Sequence, residues 1–249
     1  MAENLSCEAY VLHARSYRET SLLVEVMTEQ HGREGLIARG ARSRRGEAAA
    51  RLQPFRRLHL GWSSRGDLGT LTTVEELDSH RLPAAAIGVG LYLNELLMRL
   101  LPRHQEIPEV YLAYAAALRS LAAALPIEPV LRSFELRLLD GLGYALTLDC
   151  EANTGKAVDP ERYYRFLPDH GPLPTLAGEP GAVSGAALLA MACEDWSSEQ
   201  TLAAAKRVLR ASLEAQLGPR GLRTRALLGG LARYRRMSEN GQPADHSDD

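Results

Sequence analysis

Residues 9–40, AYVLHARSYRETSLLVEVMTEQHGREGLIARG, decide how this chain begins to fold. Three apolar or alternating runs, 9–15, 22–29 and 36–39, are broken at Gly32, Gly35 and Gly40. Short runs of this kind bounded by glycine read as strands, because alternate side chains face opposite sides of a pleated ribbon. Working outward, 55–60 alternates arginine or histidine with apolar residues. A further run, 68–75, follows the turn at 63–67, and its Thr70, Thr72 and Val74 suit a pleated surface. Five short strands in about eighty residues predict a small barrel. An OB-fold has that count and so does an SH3-like barrel, and spacing leaves both open.

From about residue 84 the apolar period becomes helical. Leu93, Leu96, Leu97 and Leu100 form one stripe closed by Pro102, and Tyr111, Tyr114, Leu118 and Leu121 form a second ended near Pro126. Leu131, Phe134 and Leu138 form a third, stopped by Gly141 and Gly143. Residues 144–181 are rich in Gly, Pro and Asp and predict an irregular excursion with a short hairpin around Tyr163–Leu167. Helices are expected again over 186–192, 199–217 and 224–236, followed by a polar tail. The expected organisation is α+β: a barrel domain over 1–80, a helical domain over 81–237 with its insertion at 144–181, and a tail over 238–249.

The net charge of −2 conceals a segregation. Residues 33–57 carry eight arginines against Glu34 and Glu47, and residues 206–236 carry nine basic residues against Glu214. The intervening stretch, 81–205, has nine basic and fifteen acidic residues. Like charges gathered in this way repel unless a polyanion or neighbouring carboxylates compensate them. The three cysteines, Cys7, Cys150 and Cys193, are far apart and odd in number, which disfavours a disulfide framework. No basic segment leading into an apolar one opens the chain, so a secretory leader is not expected, and a cytoplasmic, nucleoid-associated location is.

Catalytic groupings fail at specific positions. The seven histidines are dispersed, without ligand spacing to one another or to a cysteine. Gly155-Lys156 resembles the end of a phosphate loop, but Cys150 and Ala157 stand where glycine and a hydroxyl residue are needed. Gly88 and Gly90 open a helix, yet Leu93 replaces the third glycine of a dinucleotide fingerprint. No enzyme is expected. Binding chemistry remains: the segment 39–46, RGARSRRG, offers guanidinium groups that follow a phosphate backbone without reading sequence. Candidate base-stacking aromatics in the barrel half are Tyr10, Tyr17, Phe55 and Trp62.

Several stretches resemble the RecO family, in order and over about residues 8–230. They are 10–15 with 19–22, then Gly32-Arg33 with LIARGARS at 36–43, and LQPF at 52–55. LYLNEL at 91–96, RSFELRLLDGLGY at 132–144 and LRTRALL at 222–228 continue the series. Arg39 stands where the family usually has lysine, and Thr224 where it has serine. The resemblance implies an N-terminal OB-fold, an all-helical second domain and DNA repair through the RecF pathway: annealing of complementary strands and assistance in loading RecA. It also implies the partners RecR, the acidic C-terminal tail of the single-stranded-DNA-binding protein, and RecF. Many family members carry a four-cysteine zinc site. Here Cys150 alone falls in that region, Asn153 occupies the next ligand position, and 163–178 contains no cysteine, so no zinc or other cofactor is expected and Cys150 reads as a buried small residue.

The expected phosphate track comprises Arg33, Arg39, Arg42, Arg44, Arg45 and Arg57, extended by Arg223, Arg225, Arg233, Arg235 and Arg236. Arg132 with Lys206 is the expected site for the acidic tail, and residues 8–22 the expected RecR surface. An OB-fold accessory factor for RNA or tRNA is the alternative from another class, and an arginine-rich helical scaffold for proteins a third.

Overall fold

Residues 3–43, 48–64 and 66–224 are described by the computed structural model. Strand β1 (Glu3–Tyr17) is long enough to serve two partners. Its first half pairs antiparallel with β4 (Arg56–Ser64) and its second half with β2 (Ser21–Thr28). A register shift between Val11 and His13 leaves Leu12 outside the β1–β2 ladder. A bulge of this kind bends and twists the strand, which lets β1 border both sides of a closed barrel. β3 (Gly32–Ala38) returns along β2, and β5 (Gly69–Ser79) pairs antiparallel with β4 and parallel with β3. The closed order β1-β2-β3-β5-β4, with one parallel pair, is that of an OB-fold, so the SH3-like alternative falls. A single turn, α1 (Ala48–Arg51), bridges β3 and β4. Val11, Val24, Val26, Leu36, Leu58, Leu60 and Trp62 fill the barrel.

β1 starts six residues before the expected run and β4 continues four residues beyond it. The strand conformation of Glu3–Glu8 comes from pairing with Ser64–His59 of β4, 61 to 51 residues away in sequence.

The barrel and the helices share a core. Tyr10, Leu12 and Met27, on the outside of the barrel, belong to the apolar cluster built by α2 (Ala84–Leu100), α3 (Pro108–Ala122) and α4 (Ile127–Gly141). Leu12 is the bulge residue, and its carbonyl accepts a hydrogen bond of 2.8 Å from the Asn94 side chain. The Asn94 carboxamide oxygen in turn accepts from the Tyr114 hydroxyl at 2.5 Å. Asn94 therefore satisfies a backbone acceptor that the bulge removed from the ladder. Around it, the Tyr10 ring meets His80, Tyr111 and Tyr114 with centroids 5.3–5.9 Å apart. Burial holds the His80 pKa below its ordinary value, so the ring is neutral at pH 7.

A second seam forms where the turn after α2 meets β3. Arg103 and Arg33 both pair with the Glu25 carboxylate, Arg33 at 3.0 Å, and Arg33 Nε also donates to the Leu101 carbonyl. His104 Nδ1 lies 2.8 Å from Glu34. Gly32, at φ +69°, approaches so closely that a Cβ there would sit 1.9 Å from the Gln105 carbonyl oxygen.

Residues 144–181, expected as an irregular excursion with a short hairpin, carry more order than that. β6 (Tyr163–Leu167) pairs with β7 (Gly171–Thr175) as the predicted hairpin, and β8 (Ala182–Ser184) adds a third strand. The second domain is thus helical with a small antiparallel sheet, and not all-helical. Pro172 and Pro174 lack the ladder donor, which is tolerated because β7 is an edge strand. α5 (Gly185–Ala192) and α6 (Glu199–Leu217) follow, capped by the Ser184 and Ser198 hydroxyls accepting from the Ala187 and Gln200 N–H groups. Beyond α6, two residues one turn apart on α2 hold the chain. Arg99 donates to the Leu217 and Gly221 carbonyls, and Glu95 accepts from the N–H groups of Arg223 and Thr224 and from the Thr224 hydroxyl. The expected helix 224–236 and the tail lie outside the described residues, apart from Thr224.

Candidate nucleic-acid interface

One end of the barrel gathers free guanidinium groups, and local packing explains why. β3 ends at Ala38, and the chain turns at Gly40, whose φ of +65° suits a residue without a side chain. Ala41 then drops its methyl group into the barrel core. The Arg42 N–H donates to the Thr20 carbonyl at 2.9 Å, and Ser43 N–H to Gly40 at 3.0 Å. These contacts fasten the start of the arginine-rich segment to the β1–β2 turn, and Arg39 and Arg42 stand exposed on either side of the buried Ala41. Among the described residues, no carboxylate pairs with Arg39 or Arg42.

Register places aromatic and basic side chains together here. Tyr17 pairs with Ser21, and Leu22 with Ala38, so Arg39 stands at the next position along the same row. Arg15 lies two residues before Tyr17, on the same face, and is exposed. An open cleft of about 500 Å³ runs between Tyr17, Arg18, Thr20, Ser21, Ile37, Arg39 and Gly40. Arg18, at φ +52°, folds back so that its guanidinium lies 5.2 Å from the centre of the Tyr17 ring. Sequence reasoning passed over Arg18 and Arg15. The signal was present, since both lie on or beside the turn that faces residue 39 across β2.

The remaining expected track residues go elsewhere. Arg33 is only 16% exposed at its side chain and is committed to Glu25 and Leu101 in the seam. Arg57 opposes Tyr10, seven residues up β1 from Tyr17, which is roughly 20 Å at strand rise. It pairs with Glu8 through Nε and Nη2, and that carboxylate raises its pKa further. Arg223 is exposed beside α2, where its N–H is held by Glu95. Arg44, Arg45, Arg225, Arg233, Arg235 and Arg236 lie outside the described residues. Of the four aromatics, Trp62 and Tyr10 are buried at 1% and Phe55 packs against the helical core. Tyr17 is half-open to solvent with the Arg18 guanidinium over its ring.

On the helical domain, Arg132 and Lys206 do come together, around Glu128. The carboxylate lies 3.6 Å from Arg132 and 3.8 Å from Lys206. Arg132 itself is buried, with its main partner Glu135 at 2.7 Å, while Lys206 faces solvent. Glu135 also accepts from the Tyr92 hydroxyl. Next to this corner, Ala113, Ala117, Pro129, Val130 and Phe134 line an apolar cleft of about 250 Å³ between α3 and α4, with Arg137 at its rim.

Zinc does not fit the second domain. Cys150 is half-buried, not buried as expected, because it forms a two-residue bridge with Ala157 near the surface. The other cysteines sit in the barrel and at the end of α5. The buried carboxylate beside Cys150, Glu151, is already engaged by Thr154 at 2.6 Å, Tyr164 at 3.3 Å and Arg162 at 3.6 Å. Among the described residues no cluster of three His, Cys, Asp or Glu side chains could hold a metal, and no helix is long and apolar enough to cross a membrane.

The chain matches the family described as "Recombination protein O N terminal" over residues 1–80 and "Recombination protein O C terminal" over residues 84–226. It is 47% identical to the DNA repair protein RecO of Methylococcus capsulatus over 220 residues, covering 88% of this chain and 90% of the other. Identity is 46% to the protein of that name from Pseudomonas paraeruginosa, covering 88% and 92% of the two chains. It is 42% to that of Xanthomonas oryzae pv. oryzae, covering 91% and 97%.

Proposed function

This chain belongs to the RecO family of DNA repair and recombination proteins, and from that premise we propose that it works by holding nucleic acid rather than by covalent chemistry. It binds single- and double-stranded DNA through phosphate contacts, lets complementary strands anneal, and assists RecA loading in the RecF pathway. The observation that carries this reading is the barrel end at Arg39 and Arg42. Their guanidinium groups stand exposed on backbone fastened by Ala41 and Thr20, with no carboxylate partner among the described residues. Preorganised cations of this kind neutralise two strands at once and remove the repulsion that keeps them apart.

Its partners are RecR, the acidic C-terminal tail of the single-stranded-DNA-binding protein, and RecF. The tail docks at the Glu128 corner, where Glu128 is half-exposed and held at 3.6–3.8 Å, loosely enough for a peptide carboxylate to replace it beside Lys206. Lys206→Ala then weakens tail-peptide binding and Glu128→Gln strengthens it, both with DNA binding retained. The deciding test is fluorescence-monitored annealing of complementary oligonucleotides, with and without coating protein. Arg39→Ala/Arg42→Ala slows annealing. Unchanged annealing moves the site elsewhere, and annealing of RNA but not DNA favours the RNA-binding alternative.

A further inference from the structure

We propose that the cleft beside Tyr17 is a subsite for one unpaired base of a DNA strand, with the base stacked on the Tyr17 ring and its phosphate held by Arg39. This rests on the DNA-binding reading and adds a discrimination to it, because phosphate contacts alone do not tell single strand from duplex. Tyr17 lies at the end of β1, half-open to solvent. Ser21 is its partner across the β1–β2 turn, and Arg39, one residue past the last β3 pair at Ala38, lines the same cleft.

The ring face already receives a flat group. The Arg18 guanidinium lies over it at 5.2 Å, and the cleft around the pair, about 500 Å³, is within the size range of small-ligand sites. Arg18 is exposed and has no carboxylate partner among the described residues, so it can swing aside or cap a base from above. A base within a duplex is stacked on both faces and cannot enter. A strand threaded from Arg15 past Tyr17 to Arg42 would meet cation, ring and cation in succession, the arrangement that grips single strands without reading sequence.

The test measures binding of the full chain to a single-stranded oligonucleotide and to the duplex of the same sequence, by fluorescence anisotropy. Tyr17→Ala is expected to weaken single-strand affinity about 5- to 100-fold. Duplex affinity, set by phosphate contacts, stays within about twofold. Tyr17→Phe, which keeps the ring, restores single-strand binding. An unchanged single-strand affinity, or an equal loss on both polymers, overturns the subsite while leaving DNA binding intact. Failure of the parent protein to bind either polymer instead removes the DNA-binding reading, and the subsite with it.

Discussion

Replacing Asn94 by alanine tests how the two domains are joined. The side chain is buried, donates to the Leu12 carbonyl at 2.8 Å and accepts from the Tyr114 hydroxyl at 2.5 Å. Leu12 lies in the β1 bulge, so no β2 residue stands opposite it in the ladder to take over that carbonyl. Tyr114 is fully buried, which pushes its pKa well up and keeps the hydroxyl a donor that needs an acceptor. Asn94→Ala thus strands two buried polar groups at about 1–3 kcal/mol each, for a total of roughly 2–6 kcal/mol. With a urea dependence of about 3 kcal/mol per molar, the unfolding midpoint falls by about 0.7–2 M. Equilibrium urea unfolding followed by circular dichroism measures this directly. In a double-mutant cycle, Tyr114→Phe costs less in the Asn94→Ala background than in the parent, because its hydroxyl is already unpaired there. A midpoint shift below about 0.3 M, or strict additivity with Tyr114→Phe, would show that the bulge carbonyl is satisfied in some other way.

Four further outcomes follow from the geometry. Gly32→Ala should lower the thermal midpoint by roughly 5–15 °C, since it places a Cβ against the Gln105 carbonyl at a positive φ; an unchanged melting curve refutes the close approach. Glu95 gives a pH dependence of known sign. Burial pushes its pKa up, but hydrogen bonds from the Thr224 hydroxyl and the Thr224 and Arg223 N–H groups, with the Arg99 charge, hold it below the ordinary 4.5. Its stabilisation is therefore complete above about 4.5 and lost as pH falls through the lower folded value, and Glu95→Gln should flatten that acid limb in melting curves taken from pH 7 downward. Single-strand affinity should fall with salt at a log–log slope of about −3 to −4 for roughly four to six neutralised phosphates, and Arg39→Ala or Arg42→Ala should each flatten it by about 0.7. Elemental analysis should find no stoichiometric zinc, and a chelator should leave the melting temperature unchanged; stoichiometric zinc or a chelator-sensitive transition refutes this.

The resemblance to RecO was readable because its motifs are short, ordered and local. The candidate site was only partly readable. Arg39, Arg42, Arg33 and Arg57 all stand in one basic block, yet folding separates them. Arg33 meets Glu25 across a hairpin, and Arg57 meets a glutamate forty-nine residues away. Tyr17 was one of four aromatic candidates until β1 closed the barrel over Trp62 and turned Tyr10 toward the helices. Arg132 followed the same rule: a basic residue on an apolar helix became one half of a buried ion pair with Glu135.

Neighbouring residues carry the strands, the helices and the breaks between them, since a period of 2 or 3.6 and a glycine turn are properties of adjacent positions. The gathering of arginine into two segments is likewise a matter of residue order. Chain closure decided the rest: the parallel β3–β5 pair that makes the barrel, the third strand β8, and which guanidinium groups remain available. The reason is distance. An arginine reads the same whether it faces water or a carboxylate, and charge pairing acts over a few ångströms in space, however far apart the partners lie along the chain.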